Sequence, residues 1–321
     1  MKRMLCSMFA AMGLLMFSGL AVAQDVRFAS HNDLGANLGG DAGACNSCTT
    51  GCTTGCESAC ESACDVCCDE GEGKWIAIGE LTFFRYHRED GARVGSVNPN
   101  DDVEFDFDIS PRITIGYQGA DGLGLRARWW DYHHTAAKLG TGFGDNNGMT
   151  VETYTLDLEV FDTIQLNSVW TAEISAGIRI NEYEEVMQEF LTYRENDFQG
   201  FGGLVGLEVK RCIGEGAAVF ARVRGAILMD DKRVTNIDIL DGVFSDTLLL
   251  DSTQGMLEIA LGLEGNWDLD YNAVAFARIS GEWQNWYNYS SSFDGVLGED
   301  FFDGQSDVGF GGFVLSLGVA Y

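Results

Sequence analysis

The sequence has little proline and little positive charge. Only 2 of its 321 residues are proline, and 20 Lys and Arg stand against 49 Asp and Glu, a net charge of −29. Nucleic-acid binding needs a basic surface, so this balance argues against a nucleic-acid partner. A hydrophobic content of 46% is too high for an acidic disordered chain. The acidic residues must therefore be segregated from a large apolar surface.

Beyond its N-terminus the chain lacks an apolar stretch of the roughly 20 residues that a membrane helix needs. The N-terminus has Lys2 and Arg3, an apolar run over 4–22 and an Ala-Val-Ala site ending at Ala23, the layout of a secretory signal peptide. An exported chain without membrane helices can enter a membrane only as a closed barrel. We predict three parts: a signal peptide at 1–23, a flexible Cys-rich periplasmic segment at 24–73 and an outer-membrane β-barrel at 74–321.

Apolar and polar residues alternate from Lys74 to Tyr321. In one clear stretch, Ile174 and Ile178 share one parity, and Glu173 and Arg179 share the other. Period-2 alternation places one strand face in an apolar medium and the other in a polar one. The sequence therefore predicts an all-β fold, an antiparallel transmembrane β-barrel of about ten strands (8–12), near 75–86, 107–118, 122–132, 150–162, 168–182, 199–212, 216–230, 255–267, 270–284 and 307–321.

The connections between these strands are alternately long and short. The five long links are 87–106, 133–149, 183–198, 231–254 and 285–306, and they hold 21 acidic and 6 basic residues, a net charge of −15. Outer-membrane barrels have short periplasmic turns, longer external loops and an even strand count, which would place both termini in the periplasm. A soluble β-sandwich or barrel is the alternative, although such folds sort their loops less regularly.

Aromatic residues cluster near both ends of the predicted strands, where two interfacial girdles are expected. The group near the long links is Phe83, Phe84, Tyr86, Trp129, Trp130, Tyr132, Trp283, Trp286 and Tyr287. The group near the short turns is Trp75, Trp170, Trp267 and Tyr271.

Charged residues within the strands lie in the phase opposite to the apolar ones. They are Arg112, Arg126, Arg128, Arg179, Lys210, Arg222, Arg224 and Arg278, and Asp108, Asp157, Glu159, Glu173, Glu208, Glu258, Glu264 and Glu282. A charge that faced lipid would cost roughly 2–4 kcal/mol, so these side chains are expected to line the lumen and to pair there. Such pairs could either hold a small barrel together or line an ion-selective pathway.

Eight of the ten cysteines fall in a repeat with a period of about four residues, at Cys45, Cys48, Cys52, Cys56, Cys60, Cys64, Cys67 and Cys68. In an exported protein this density predicts disulfides, some of them between chains. A thiolate metal cluster is the rival interpretation, but the repeat contains no His and its spacing is not that of a standard zinc site. We therefore expect no metal and no cofactor. Cys212, alone in a barrel turn, is predicted to be a free structural thiol.

Four segments resemble a known family: PRITIGYQGADGLGLRARWWDYHH from Pro111, GFGGLVGLEVKRC from Gly200, AVFARVRGAILMDD from Ala218, and the C-terminal DVGFGGFVLSLGVAY. They are similar to the pore-forming outer-membrane proteins of the Legionella major-outer-membrane-protein type, which are also found in planctomycetes. The resemblance covers most of 107–321 and implies porin-like passage of small hydrophilic solutes or ions. What the segments share with this family is the residue pattern of barrel strands. The resemblance identifies no solute and does not include the cysteine repeat.

Other functions remain open beside the porin-like one. The barrel could be a structural envelope anchor, cross-linked through its cysteines to copies of itself or to other envelope proteins. A remote alternative is an omptin-like surface protease, because His87, His133 and His134 lie near Asp90 and Asp131 at the external rim. No catalytic motif is present, so we expect no enzyme activity. The expected partners are outer-membrane lipid, disulfide-linked chains and small solutes or ions.

Overall fold

The computed structural model describes residues 73–88, 105–137, 148–189, 192–238, 242–269, 273–291 and 305–321. Within these residues ten antiparallel strands form one closed barrel. They are β1 Lys74–Arg88, β2 Asp108–Gln118, β3 Leu123–Ala137, β4 Gly148–Gln165, β5 Trp170–Glu189, β6 Thr192–Gly214, β7 Ala217–Asp238, β8 Val243–Leu269, β9 Ala273–Ser291 and β10 Gln305–Ala320. Each strand pairs with its neighbours in sequence, and β1 pairs with β10 to close the barrel. The predicted fold class is confirmed.

The strand bounds were predicted too short at the long-link end. β8 begins at Val243 rather than 255, and β5 and β6 run through most of the predicted loop 183–198. The extensions of β5 and β6 carry polar residues on the outer face, such as Glu184 and Asp197. Backbone pairing continues above the lipid because it does not depend on which medium the side chains face. An apolar-polar pattern detects only the part of a strand whose outer face is apolar. In the described part of the chain, no helix is long and apolar enough to span a membrane.

The short turns have residue types that suit their geometry. Gly122 and Gly216 have φ values of 91° and 63°, a region that glycine enters without steric cost. In the turn between β4 and β5, the Asn167 side-chain oxygen accepts hydrogen bonds of 3.0 Å from the backbone N–H groups of Val169 and Trp170. These local bonds satisfy backbone N–H groups in a turn, where no neighbouring strand supplies a hydrogen-bond partner.

Two residues with positive φ, Asp251 and Asn288, mark changes of phase in β8 and β9. Below Asp251 the outward residues of β8 are odd-numbered, for example Ile259 and Leu261; above it they are even-numbered, for example Leu248. The extra residue of a β-bulge produces this change of face.

The outer face of the barrel is an apolar belt of exposed Leu, Ile, Val and aromatic side chains. Trp75, Trp170 and Trp267 are exposed near its short-turn end, as predicted, while Tyr271 lies outside the described residues. The prediction of a second girdle, near the long links, was only partly right. Phe83, Trp129, Trp283 and Tyr287 face outward, whereas Phe84, Tyr86, Trp130, Tyr132 and Trp286 are buried inside. Adjacent residues in a strand point to opposite faces, so neighbouring aromatics must divide between lipid and lumen.

Candidate functional site

The lumen is the candidate site because the charged strand residues converge there. The structure places fifteen of the sixteen predicted lumen-lining residues together on the inner face: Arg112, Arg126, Arg128, Asp157, Glu159, Glu173, Arg179, Glu208, Lys210, Arg222, Arg224, Glu258, Glu264, Arg278 and Glu282. Each takes part in at least one ion pair with another member of this inner ion-pair network.

The most deeply buried part of the network joins β4, β5, β7 and β8. Arg179 donates to both oxygens of Asp157, at 2.6 and 2.8 Å. Arg224 donates to the same carboxylate at 2.6 Å and also pairs with Glu159. Glu258 lies 2.5 Å from Arg179, 3.1 Å from Arg224 and 3.2 Å from Arg128. Since every one of these groups is buried, the pairs replace water that the charges would otherwise need.

A second centre lies around Glu282 of β9. Arg112 of β2 donates to its two oxygens at 2.9 and 3.1 Å, in the bidentate geometry that suits guanidinium and carboxylate. Arg222 donates to it at 3.0 Å, and Gln284 at 2.8 Å. Because β2 and β9 are three strands apart around the barrel, the Arg112 contact crosses the lumen.

The network becomes more exposed towards the short turns. Arg179 and Arg224 have 2% of their side-chain surface exposed, whereas Arg126 has 20%, Glu173 24% and Lys210 29%. The lumen therefore opens at its short-turn end into a shallow charged vestibule, lined by Arg126, Glu173, Lys210, Arg222 and Arg278. The pairs Arg126–Glu173 at 2.5 Å and Lys210–Glu264 at 2.7 Å lie there.

The other end of the lumen is filled by aromatic side chains. This aromatic cluster consists of Phe84, Tyr86, Trp130, Tyr132, Tyr183, Phe198, Trp286, Tyr289 and Phe310, each at most 3% exposed. Trp286 of β9 packs with ring centroids 6.1 Å from Trp130 of β3 and 6.1 Å from Tyr183 of β5. Such edge-to-face and tilted contacts are the favoured arrangements of aromatic pairs. Side chains from strands on different sides of the barrel thus meet at its centre.

Hydrogen bonds connect the same strands across the lumen. The hydroxyl groups of Tyr86 on β1 and Tyr183 on β5 lie 3.0 Å apart. Tyr289 on β9 donates to Asn181 on β5 at 3.0 Å. Arg88 on β1 forms a buried ion pair with Glu185 on β5. These contacts connect β1 and β9 to β5 across the lumen.

Residues 80–321 match the family model described as Legionella pneumophila major outer membrane protein precursor. The chain belongs to this family. The resemblance seen in the sequence is thereby confirmed, and the outer membrane is the location that both family and fold support.

Other comparisons add no functional argument to the family match. No curated protein matches the sequence. The outer membrane protease OmpT of Escherichia coli is 10% identical, with 78% of this chain and 95% of that chain covered and a TM-score of 0.45. A major outer membrane protein of Thermus thermophilus is 12% identical, with coverage of 78% and 98% and a TM-score of 0.36. The Pseudomonas putida toluene transporter TodX is 9% identical, with coverage of 79% and 90% and a TM-score of 0.34.

In this member of the major outer membrane protein family, sequence reasoning missed several lumen residues. Glu80 is buried between Arg112 and Arg128, at 3.8 and 3.9 Å. Its position next to outward-facing Leu81 on β1 was a usable signal. Asp108, also predicted to line the lumen, has the inward parity of Arg112 but lies apart from the ion-pair network, 3.3 Å from His134 near the long-link end. The Arg88–Glu185 pair was overlooked because both residues fell in predicted loops.

The cysteine predictions have different outcomes. The eight cysteines from Cys45 to Cys68 lie outside the described residues, and their disulfides remain a prediction. The expectation for Cys212 was wrong, because Cys212 is disulfide-bonded. An isolated position in the sequence does not exclude a partner that is distant along the chain.

The rim histidines do not come together in one site. His133 faces outward and its Nδ1 lies 2.6 Å from Glu152, whereas His134 is the partner of Asp108 inside the barrel. His87 faces outward and stacks on Trp283 with ring centroids 5.5 Å apart. Asp90 lies outside the described residues.

An acidic row crosses the outer face just above the apolar belt. Glu152, Glu184 and Asp197 are directly opposite one another on β4, β5 and β6. Partial burial and then repulsion by Glu152, Glu195, Asp197 and Glu182 raise the pKa of Glu184. Burial and then Glu182 and Glu195 also raise the pKa of Asp197, although Arg233 opposes them. Like charges directly opposite on neighbouring strands destabilise a sheet.

The acidic row predicts a specific pH dependence of stability. A carboxyl group with a raised pKa in the fold binds more protons when folded than when unfolded, so its contribution to stability declines as the pH rises from its ordinary pKa through the raised one. Glu184→Gln should therefore raise the free energy of unfolding by about 0.5 kcal/mol at pH 7 and have little effect at acidic pH. Urea titrations of the barrel in lipid vesicles at both pH values measure this. Gln188→Glu, on the same face of β5 but above the row, is the control; a gain for Glu184→Gln that is equal at both pH values would contradict the prediction.

Proposed function

We propose that this chain is an outer-membrane anchor, a barrel whose lumen is closed to solutes in the structure described here. The observation that carries the proposal is a set of buried contacts between strands that are three or four strands apart around the barrel: Tyr86 with Tyr183, Trp130 with Trp286, and Arg112 with Glu282. A hydrophilic solute that passed through the lumen would have to break all three of these contacts. The function left to such a barrel is to hold the N-terminal segment at the membrane.

The barrel's size supports this proposal. In barrels the diameter grows with strand number, and about eight strands give an interior that side chains just fill, while 16–18 strands leave an aqueous channel. With ten strands, this barrel lies near the filled end of that range. Its aromatic cluster and ion-pair network supply the side chains that fill it.

Porin-like passage of small hydrophilic solutes or ions is the second candidate function. The vestibule favours it, because the partly exposed side chains of Arg126, Glu173 and Lys210 would contact ions that enter from the short-turn side. Passage would then require the aromatic cluster to rearrange. The family match supports an outer-membrane protein and names no solute.

Conductance in a planar lipid bilayer separates the two functions. For the closed barrel we expect refolded wild-type protein in potassium chloride to add no stable current steps to those of the bare bilayer. Heat-modifiable migration of the same sample on a gel must show that the barrel is folded. Regular ohmic steps from wild-type protein would refute the anchor and support the porin. In that case the acidic links predict a mild cation preference that weakens at high salt.

The anchor proposal also includes the location of the chain ends and of the cysteines. An even number of strands brings both termini to one side, and the short turns on that side are the periplasmic pattern of outer-membrane barrels. Disulfides of Cys45–Cys68 with other chains would then join barrels into an envelope layer. Non-reducing gels of intact envelopes should show high-mass ladders that collapse when a thiol reductant is added. We propose no enzyme activity, and a peptide-cleavage assay tests the omptin-like alternative.

A further inference from the structure

A groove of about 380 Å³ indents the apolar belt on the outer face of β8, β9 and β10. Its walls include the side chains of Leu261, Leu263, Ile279 and Phe313, which are all exposed. Gly281 of β9 is directly opposite Leu261 on one side and Phe313 on the other. The row across these three strands therefore lacks its central side chain. We call this depression the belt groove.

Close packing does not require the gap at Gly281. Among the described residues, a Cβ atom added to Gly281 would meet only the carbonyl oxygen of Gly312, at the ordinary contact distance of 4.0 Å. The next outward side chain on β9 does not fill the gap, because the ring of Trp283 lies over Gly311 of β10 instead. An empty depression loses dispersion contacts. Since the belt faces lipid, a hydrocarbon chain is the group that restores these contacts.

An unpaired cation lies at the edge of the belt, close to this groove. Arg85 of β1 faces outward, opposite Gly311 of β10. In the part of the chain that the structure describes, its guanidinium forms no ion pair, and its Nε is buried without a hydrogen-bond partner. By contrast, the outward-facing Arg233 of β7 is paired with Asp246 at 2.6 Å. Arg85 therefore has hydrogen-bond donors that the protein itself does not use.

The strand register places Arg85 and the belt groove within reach of one lipid molecule. Phe83, two residues before Arg85, is directly opposite Phe313 in the wall of the groove. Gly281 lies one strand further, so a strand spacing of about 4.8 Å and a rise of about 3.4 Å per residue separate Arg85 from Gly281 by ~12 Å. The hydrocarbon core of a bilayer is roughly 30 Å thick. An acyl chain that begins at the edge of the belt is therefore long enough to reach the groove.

The charges on the outer face favour an anionic headgroup at β1. The acidic row Glu152, Glu184 and Asp197 lies at the same end of the barrel on β4, β5 and β6, and β1 is four strands away from β5. The acidic row repels anionic headgroups, whereas Arg85 attracts them. Guanidinium groups bind phosphate through short charge-assisted hydrogen bonds, often two at once. A phosphate therefore matches the unused donors of Arg85.

We propose that the outer face of β8, β9, β10 and β1 binds one phosphate-bearing membrane lipid. Its phosphate lies on Arg85 and one of its acyl chains lies in the belt groove beside Gly281. The two parts of the site recognise different ends of the same molecule, so the ligand is a lipid and not a free phosphate ion. The bound lipid lies across the seam at which β1 and β10 close the barrel.

Native mass spectrometry of the refolded full-length protein in detergent micelles tests the phosphate contact. We expect dioleoyl phosphatidic acid to form a one-to-one adduct several-fold more tightly than dioleoylglycerol, which has the same acyl chains and no phosphate. A large excess of inorganic phosphate should leave the phosphatidic acid adduct in place. Equal binding of the two lipids, or displacement by inorganic phosphate, would overturn the proposal.

Variants of Arg85 test the position of the headgroup. Arg85→Gln should weaken phosphatidic acid binding several-fold, and Arg85→Lys should retain part of the affinity because it keeps the charge. Arg233→Gln is the matched control, since Arg233 already has Asp246 as its partner, and it should bind phosphatidic acid like wild-type protein. Heat-modifiable migration must show that each variant is folded. Equal weakening by Arg85→Gln and Arg233→Gln would show that only the general surface charge matters, and the site would be refuted.

Glycine substitutions test the position of the acyl chain. Gly281→Leu should fill the belt groove and weaken phosphatidic acid binding several-fold. Gly203→Leu is the control, because Gly203 is exposed on β6 and also has open space around it; its lipid binding should not change. Unchanged binding in Gly281→Leu would contradict the proposal. If that variant alters the oligomeric state but not lipid binding, a second copy of the chain covers the groove and the proposal fails. These readouts do not involve conductance, so they are independent of the closed-barrel function.

Discussion

Glu258→Gln is expected to lower the free energy of unfolding by about 3 kcal/mol or more, because removing one partner of a buried ion pair leaves uncompensated charge. Glu258 is the shared acceptor of Arg128, Arg179 and Arg224, and all four residues are buried. Arg179 and Arg224 retain Asp157, whereas Arg128 retains only the longer contact with Glu80 at 3.9 Å. Equilibrium unfolding in urea with lipid vesicles, followed by tryptophan fluorescence, measures the loss.

Glu173→Gln is the matched control for this change. Glu173 belongs to the same network, but it is 24% exposed and its partner Arg126 keeps Glu159 at 2.9 Å. Ion pairs that are open to solvent are worth about 1 kcal/mol or less, so the partly exposed control should lose little more than that. If both substitutions cost the same, burial of the network does not determine its contribution to stability.

Trp286→Ala together with Phe310→Ala should convert a silent barrel into a conducting one. The two rings pack with centroids 5.0 Å apart, and Trp286 also contacts Tyr289 at 4.8 Å. Both side chains are fully buried, so their removal leaves a cavity in the centre of the aromatic cluster. Each large-to-small change in a packed core costs about 3–5 kcal/mol, and folding must be checked by heat-modifiable migration. Bilayer recordings should then show current steps that wild-type protein lacks.

Trp283→Ala supplies the control on the same strand. Trp283 is exposed on the outer face, where it stacks on His87, so its removal changes the lipid contact and not the lumen. We expect no current from this variant. A folded double variant of Trp286 and Phe310 that stays silent would show that the aromatic cluster is not what closes the lumen.

The alternation of residue types was enough to predict the strands and the faces of their charges. Arg179 and Ile178 lie on opposite faces of β5 for a purely local reason, since successive side chains point to opposite sides of a strand. The same rule placed fifteen charged residues on the inner face without knowledge of any contact. It failed where strands continue above the lipid, as in β8 before 255, because there the outer face is polar or changes phase.

Only the closed barrel decided which of these residues meet. Arg112 and Glu282 are separated by 170 residues in the sequence, and they meet because the pairing of β1 with β10 brings β2 and β9 to within three strands of each other. The irregularity at Asn288 turns Tyr289 inward, where its ring lies 4.8 Å from that of Trp286 although the two residues differ in parity. Whether side chains fill the lumen depends on the barrel's radius, which follows from strand number and stagger. By itself, then, the sequence determined an acidic outer-membrane barrel with charges inside, because alternation is local. The tertiary structure decided which of those charges and aromatics meet, because that requires contacts between distant strands.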